Sequence, residues 1–237
     1  MKIFFIIVLV LIASLTIGGC MQAESQTFEF DFSKGTHDWT GDFADYPPGE
    51  EVDIYELEFG YDMLPPELGK TARALKLQGH NRSDDLFMFI KGQIADLKPD
   101  TRYQVVIEVE FATDAPAGAV GIGGAPGESV YVKVGATTQE PKPVLTDMSN
   151  VPFLIMNIDK DNQSGSGRDA IVVGDAAKVD NDEFDVYEFK TLNNKKNPMT
   201  VHSDADGKMW IIVGTDSGFE GRTVIYYSSV KVTVTEK

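Results

Sequence analysis

Alternation is the dominant pattern along this chain. From 103 to 111 the residues Tyr103, Val105, Ile107, Val109 and Phe111 are apolar, and Gln104, Glu108 and Glu110 fall between them. A period of two sends successive side chains to opposite faces, which predicts a strand with one face inside and one wet. Comparable runs occupy 27–32, 74–78, 86–91, 129–134, 152–158, 170–173, 184–189, 208–213 and 223–234. In the last of these, Val224, Tyr226, Val230, Val232 and Val234 are expected to share one face, with Ile225, Tyr227, Lys231 and Thr233 opposite. A helical period is nearly absent, and only 66–75 suggests a turn or two. Many strands parted by Gly, Pro, Asp and Asn clusters predict an all-β fold, an antiparallel β-sandwich. Its connections at 114–127, 135–150 and 159–168 are longer than hairpins require.

The first twenty residues break the pattern. Lys2 is followed by an unbroken apolar run from 3 to 13, and Ser14 and Thr16 are the only polar residues before Gly18. This is the layout of an export signal. The alternative is an uncleaved anchor, since about 17 apolar residues can just span a bilayer. The run ends Ile17-Gly18-Gly19-Cys20, which resembles the lipobox of bacterial lipoproteins. That resemblance implies a signal peptide over 1–19, lipidation of Cys20 with acyl chains such as palmitate, a short tether over 20–26 and a domain over 27–237. Two or three chains make such attachment effectively permanent. Met21, rather than Asp, after the Cys implies the outer membrane of a two-membrane cell envelope, or the outer leaflet where there is one membrane. Cys20 is the sole cysteine, so the domain is expected to fold without a disulfide.

Charge narrows the partners. The chain has 37 acidic against 21 basic side chains, a formal net charge of −16. Such a surface repels phosphate backbones and excludes nucleic acid as a natural partner. It suits neutral glycans, cationic ligands or divalent metals, and it also serves plain solubility. The length fits one large sandwich, with no linker or internal repeat in view.

Three segments bear a likeness to known β-sandwiches. Leu97-Lys98-Pro99-Asp100-Thr101-Arg102-Tyr103 resembles the strand entry of jelly-roll carbohydrate-binding modules and of fibronectin type III domains. Phe30-Asp31-Phe32 with Trp39 resembles the opening strand of the carbohydrate-binding (galactose-binding-type) modules, and 224–234 their closing strand. Ser228-Ser229 replaces the acidic pair of that closing strand, and the domain is larger than is usual for the modules. The resemblance implies a jelly-roll fold and, more distantly, glycan binding.

Candidate chemistry falls in three places. Glu51-Val52-Asp53-Ile54-Tyr55-Glu56 resembles the bulged strand of laminarinase-like retaining glycoside hydrolases. There Glu51 would be the nucleophile, Asp53 its modulator and Glu56 the acid/base, the carboxyls needing to lie about 5 Å apart. A solvated loop or edge strand is the alternative. Asn157, Asp159, Asp161 and Gln163 alternate like oxygen ligands for a structural Ca²⁺, although Asx-rich turns also form without metal. No other cofactor is required by any reading. Trp39, Phe43, Tyr46, Tyr55 and Tyr61 crowd the start of the domain, where flat rings on loops can stack on sugars. The alternative is that Trp39 and Phe43 plug the open edge of the sandwich. The glycine run 121–127 and Thr215-Asp216-Ser217-Gly218 lack the flanking structure of a phosphate loop or a serine-protease site. The readings that result are a lipid-anchored, non-catalytic glycan-binding module, a retaining glycanase, or an assembly lipoprotein with an envelope-protein partner.

Overall fold

The computed structural model describes residues 24–49, 52–179 and 183–237. Its strands in chain order begin with β1 (Ser25–Asp31), β2 (Thr40–Ala44), β3 (Glu58–Met63), β4 (Arg73–His80), β5 (Leu86–Ile94), β6 (Arg102–Thr113) and β7 (Val130–Thr137). They continue with β8 (Pro143–Met148), β9 (Val151–Met156), β10 (Ala170–Asp175), β11 (Glu188–Asn193), β12 (Met199–His202), β13 (Met209–Ser217) and β14 (Arg222–Glu236). Helix among the described residues is limited to short 3-10 turns, and none is long and apolar enough to cross a membrane.

Two antiparallel sheets face each other as a jelly-roll-like sandwich. Sheet A runs β11-β6-β14-β4-β3, with β12 following β11 along β6 and β1 following β4 along β14. Sheet B runs β10-β7-β13-β5-β2. Between them lies one apolar core, into which β6 sends the residues its alternation predicts, Tyr103, Val105, Ile107, Val109 and Phe111. Where β11 gives way to β12, the buried Asn194 side chain accepts from the Ile107 N–H and donates to the Val105 carbonyl, doing for β6 what a strand partner would.

β14 departs from simple alternation. Tyr227 pairs with Phe111 and Ser229 with Glu110, which leaves Ser228 as an extra residue. A bulge of this kind reverses the parity of everything beyond it. Ile225 and Tyr227 therefore join Val230, Val232 and Val234 in the core, and Tyr226 turns outward. The single face expected to hold Val224 and Tyr226 with the later valines is thus split. Two further runs shift. The segment expected to pair from 184 enters the sheet only at Glu188, leaving Phe184 exposed, and 66–75 forms a 3-10 turn at Pro66–Leu68 before β4. β2, β3, β8 and β12 have no counterpart among the predicted runs.

The outer faces of the two sheets differ. β5 is buried on both sides, because Phe87 and Phe89 point outward from sheet B and pack with Ala44, Ala170 and Ile212 beneath Met156 and Ile158. The excursion between β7 and β10 supplies that cover. It includes the β8–β9 hairpin, which turns through Ser149 and Asn150 at φ 54° and 67°, the doubly left-handed geometry that matches strand twist. Sheet A carries polar and charged residues outward and has no comparable layer among the described residues. The chain enters at Glu24, whose carbonyl accepts from the Glu236 N–H, so the start of β1 and the end of β14 share one end of the sandwich.

Candidate functional site

The outer face of sheet A is assembled from positions that alternation leaves wet. Lys231 on β14 stands opposite both Glu108 on β6 and Glu29 on β1. Its Nζ lies 2.6 Å from Glu29 Oε1, and Glu108 pairs on its other side with Lys195. Next to this charged row the bulge does local work. Ser228 Oγ donates to Glu110 Oε1 at 2.7 Å and contacts the Glu110 carbonyl at 3.1 Å, so one inserted residue places Ser228 and Ser229 beside one carboxylate.

β4 gives way to β1 as the neighbour of β14 at this same point, since Leu75 pairs with Tyr227 and Asp31 with Ser229. The connection from β3 to β4 rises beside the gap. Its 3-10 turn ends on Gly69 at φ 66°, a left-handed cap that glycine adopts without strain. Strand floor and loop wall enclose a groove of about 510 Å³, within the few hundred to a thousand Å³ roughly typical of ligand clefts. Glu29, Glu108 and Glu110 line it with Ser228, Ser229 and Phe189, and the wall contributes Lys70 and Arg73. Lys70 Nζ sits 4.1 Å from the Phe189 ring centre. Arg73 lies over the Tyr61 ring at 5.4 Å and donates to the Tyr61 carbonyl at 2.6 Å. Ser33 and Lys34 hold the Asp31 carboxyl at the groove edge down at about 2. The groove thus offers fixed hydrogen-bond acceptors, three serine hydroxyls, the Phe189 ring and, beside the paired Lys231, the two cations Lys70 and Arg73.

A second charged cluster lies on sheet B, under the excursion. Asp216 on β13 is fully buried, and its Oδ2 is 2.7 Å from both Lys133 Nζ on β7 and Lys160 Nζ on the covering segment. Lys160 also reaches Asp45 Oδ2 at 2.8 Å. Asp85 completes the group, with carboxylate oxygens of Asp45, Asp85 and Asp216 all within 4.8 Å of one another. Burial, the Asp216 hydrogen bond and the Asp216 charge push the Asp85 carboxyl up to about 9. Burial works against ionised Asp216 too, but Lys160, the Asp85 hydrogen bond and Lys133 outweigh it and hold that group below the usual carboxylate range. Burial lowers Lys133, whereas the attraction of Asp216 and Asp45 outweighs burial at Lys160 and raises it. Three carboxyls are the donor set of a divalent-cation site, yet here two lysine ammonium groups already supply the positive charge.

The residues singled out by sequence have other fates. Cys20 and Glu51 lie outside the described residues. Trp39 is 2% exposed and Tyr55 4%, so neither ring is free for a ligand. Trp39 packs edge-on to Phe30 and Phe32 and covers Gly92, where an added Cβ would come 2.3 Å from its ring. Phe43, Tyr46 and Tyr61 are half-buried with their rings against the core, and the Tyr61 hydroxyl donates to the Phe32 carbonyl. These five close the sandwich edge, because that edge must be sealed by large side chains where the sheets part.

The expected bulged strand around Asp53 and Glu56 is a 3-10 turn, Val52–Tyr55. It lies on the crossover from β2 in sheet B to β3 in sheet A, where no strand is available to pair with it. Asp53 is exposed, and Glu56, at φ 49°, lies 3.4 Å from His80 Nδ1. The residues of the calcium-like run each have protein partners of their own. Asn157 bridges the backbone at Glu140 and Lys142, Asp159 pairs with Arg168, Asp161 accepts from the Asn162 N–H, and Gln163 donates to the Asp84 carbonyl. Lys160, a member of that run without ligand character, is the residue that enters the buried cluster. Asp216 and Lys133 carried a usable signal, a charge set within an apolar strand. Glu108 and Glu110 were visible as the wet face of β6, but nothing in the sequence pointed to Phe189, Lys70 or Arg73.

The fold so described is an antiparallel β-sandwich. No protein-family model matches the chain, and no curated protein sequence matches it. Among solved structures it is similar to a carbohydrate-binding module, TmCBM27, described for specific mannan recognition, at 14% identity and a TM-score of 0.40 over 89% of this chain and 98% of that one. It is also similar to TmCBM61, solved with β-1,4-galactotriose, at 7% identity and a TM-score of 0.35 over 85% and 92% of the two chains. The K3 cleaved adhesin domain of Lys-gingipain from Porphyromonas gingivalis shows 12% identity and a TM-score of 0.37 over 89% and 99%.

Proposed function

We propose that this chain is a lipid-anchored, non-catalytic glycan-binding module of a bacterial cell envelope, held through Cys20 and binding its ligand in the groove on sheet A. The observation that carries the reading is that groove, an open cleft of about 510 Å³ on the outer face of sheet A. Its acceptors and hydroxyls sit on paired strands, so they are held in place before a ligand arrives. Glu110, Ser228 and Ser229 suit sugar hydroxyls, and Phe189 suits the apolar face of a pyranose ring. The expected outcome on a glycan array, using the full chain in detergent micelles, is binding without hydrolysis. Phe189→Ala should weaken that binding about tenfold or more, with the thermal midpoint little changed. Turnover of a bound glycan, or no binding to any glycan, would refute the reading. A second reading, an assembly lipoprotein, is favoured by exposed Val120, Ile122 and Phe184 near the end of the sandwich opposite Glu24. It predicts capture of an envelope protein that is lost on Ile122→Ser.

A further inference from the structure

We infer that the groove on sheet A recognises an acidic glycan of low charge density, a chain in which an occasional sugar carries a carboxylate, and that Arg73 with Lys70 is the carboxylate subsite. This rests on the glycan-binding reading above and adds the chemical class of the ligand.

The chain as a whole is strongly acidic, at −16. The groove is the exception. Its carboxylates are matched by bases already on the face: Glu29 by Lys231, Glu108 by Lys195 and Asp31 by Lys34. Glu110 takes a serine hydroxyl instead. Lys70 and Arg73 then remain as two cations on the groove wall with no carboxylate partner among the described residues. Counting Lys34 and Lys195, which stand beside the lining, five bases meet the four acids that line this cleft.

Geometry strengthens the point. Neither cation is left loose. Arg73 is oriented by its hydrogen bond to the Tyr61 carbonyl through Nη1 and by the Tyr61 ring beneath it, which leaves other guanidinium donors for a ligand. Lys70 is set over Phe189. A planar, pre-oriented guanidinium is the group best matched to two carboxylate oxygens, and its ordering cost is already met by the fold. The three-residue spacing from Lys70 to Arg73 keeps both on the same short wall, whose base at Leu64 is buried.

Charge also limits the ligand. A densely charged polyanion, such as a nucleic acid or a polysulfated chain, would bring many charges against an acidic surface and against Glu110. A sugar with a single carboxylate gains the Arg73–Lys70 contact while its hydroxyls meet Glu110, Ser228 and Ser229. Sparse charge amid many hydroxyls is the pattern the groove complements.

The test is calorimetric titration of the full chain in detergent micelles. The probes are a xylo-oligosaccharide bearing one glucuronate and the same molecule with its carboxyl reduced to the alcohol. The expected result is about 10- to 100-fold weaker binding of the reduced sugar, the range a charge-assisted pair supplies. Arg73→Gln and, separately, the exposed Lys70→Ala should weaken binding of the acidic probe by several-fold more than that of the reduced probe. Lys70→Ala removes a surface side chain and keeps the question answerable if Arg73→Gln folds poorly. Equal affinity for the two probes would overturn the carboxylate subsite and leave glycan binding intact. Binding of neither, with no other glycan bound on the array, would overturn both. Competition by millimolar inorganic phosphate as effective as the acidic sugar would show a general anion site and overturn the sugar specificity.

Discussion

Replacing Asp216 by Asn is the sharpest probe of how this sandwich is held together. The substitution keeps the volume of the side chain and removes its charge. In the native arrangement Asp216 Oδ2 accepts from Lys133 and Lys160 at 2.7 Å each, and the three side chains are 0%, 1% and 7% exposed. Lys133 is further satisfied by the carbonyls of Lys160 and Asp161, and Lys160 by Asp45. Without Asp216, two buried ammonium groups share the remaining carboxyls of Asp45 and Asp85. Breaking one partner of a buried pair costs about 3–5 kcal/mol, because an unmatched buried charge is left behind. That is a large part of the 5–15 kcal/mol or so that separates folded from unfolded domains. At about 2–4 °C per kcal/mol for a domain of this size, the midpoint should fall by roughly 6–20 °C. Urea unfolding followed by tryptophan fluorescence reads the free-energy loss, since Trp39 is buried in the core. Lys160 comes from the covering excursion, so the loss should also loosen the excursion from sheet B, seen as faster amide exchange over β8 and β9. A loss below about 1 kcal/mol, with no change in exchange, would mean that the cluster carries no net charge–charge stabilisation and would refute this account.

The same cluster predicts a pH dependence. Asp85 is raised to about 9 in the folded protein against roughly 4 when unfolded, so the folded state keeps a proton that the unfolded chain has lost. Its contribution to stability is whole below about pH 4, declines as pH rises and is gone above about 9. Asp85→Asn, which mimics the protonated carboxyl, should flatten this slope and leave the protein no less stable at pH 8, and a steeper slope in the variant would contradict it. For Trp39→Ala the expectation is a loss of about 3–5 kcal/mol from emptied core volume. Gly92→Ala should cost about 1–3 kcal/mol by displacing the same ring. Glycan affinity measured well below either melting point should be unchanged. A selective loss of binding in a fully stable Trp39→Ala protein would return that ring to the ligand site.

Much of this architecture is written locally. The alternation of β6 needs no partner to specify which side faces the core, and from 103 to 111 the buried positions are the alternate ones it names, whereas Ala112 and Thr113 beyond are both buried. The apolar run Leu86-Phe87-Met88-Phe89-Ile90 likewise carries its own meaning, because a strand apolar on both sides must be covered on both. The polar alternation of sheet A against that continuous run in β5 already distinguishes an open face from a covered one. Other features are not local properties. The bulge at Ser228 falls where β14 changes partner from β4 to β1, and it turns Tyr226 outward and Tyr227 in, against the period. The early aromatics read equally well as a sugar platform or as a plug, and only the packing of Trp39 against Phe30, Phe32 and Gly92 decides for the plug. Lys160 and Asp216 are 56 residues apart, and Glu29 and Lys231 are 202 apart. Side-chain direction follows from short-range sterics and hydrophobic periodicity, so sequence alone determines it wherever pairing is regular. Which charges meet depends on strand order and register, and these are set by the joint burial of distant segments, so the groove and the buried ion cluster exist only in the tertiary structure.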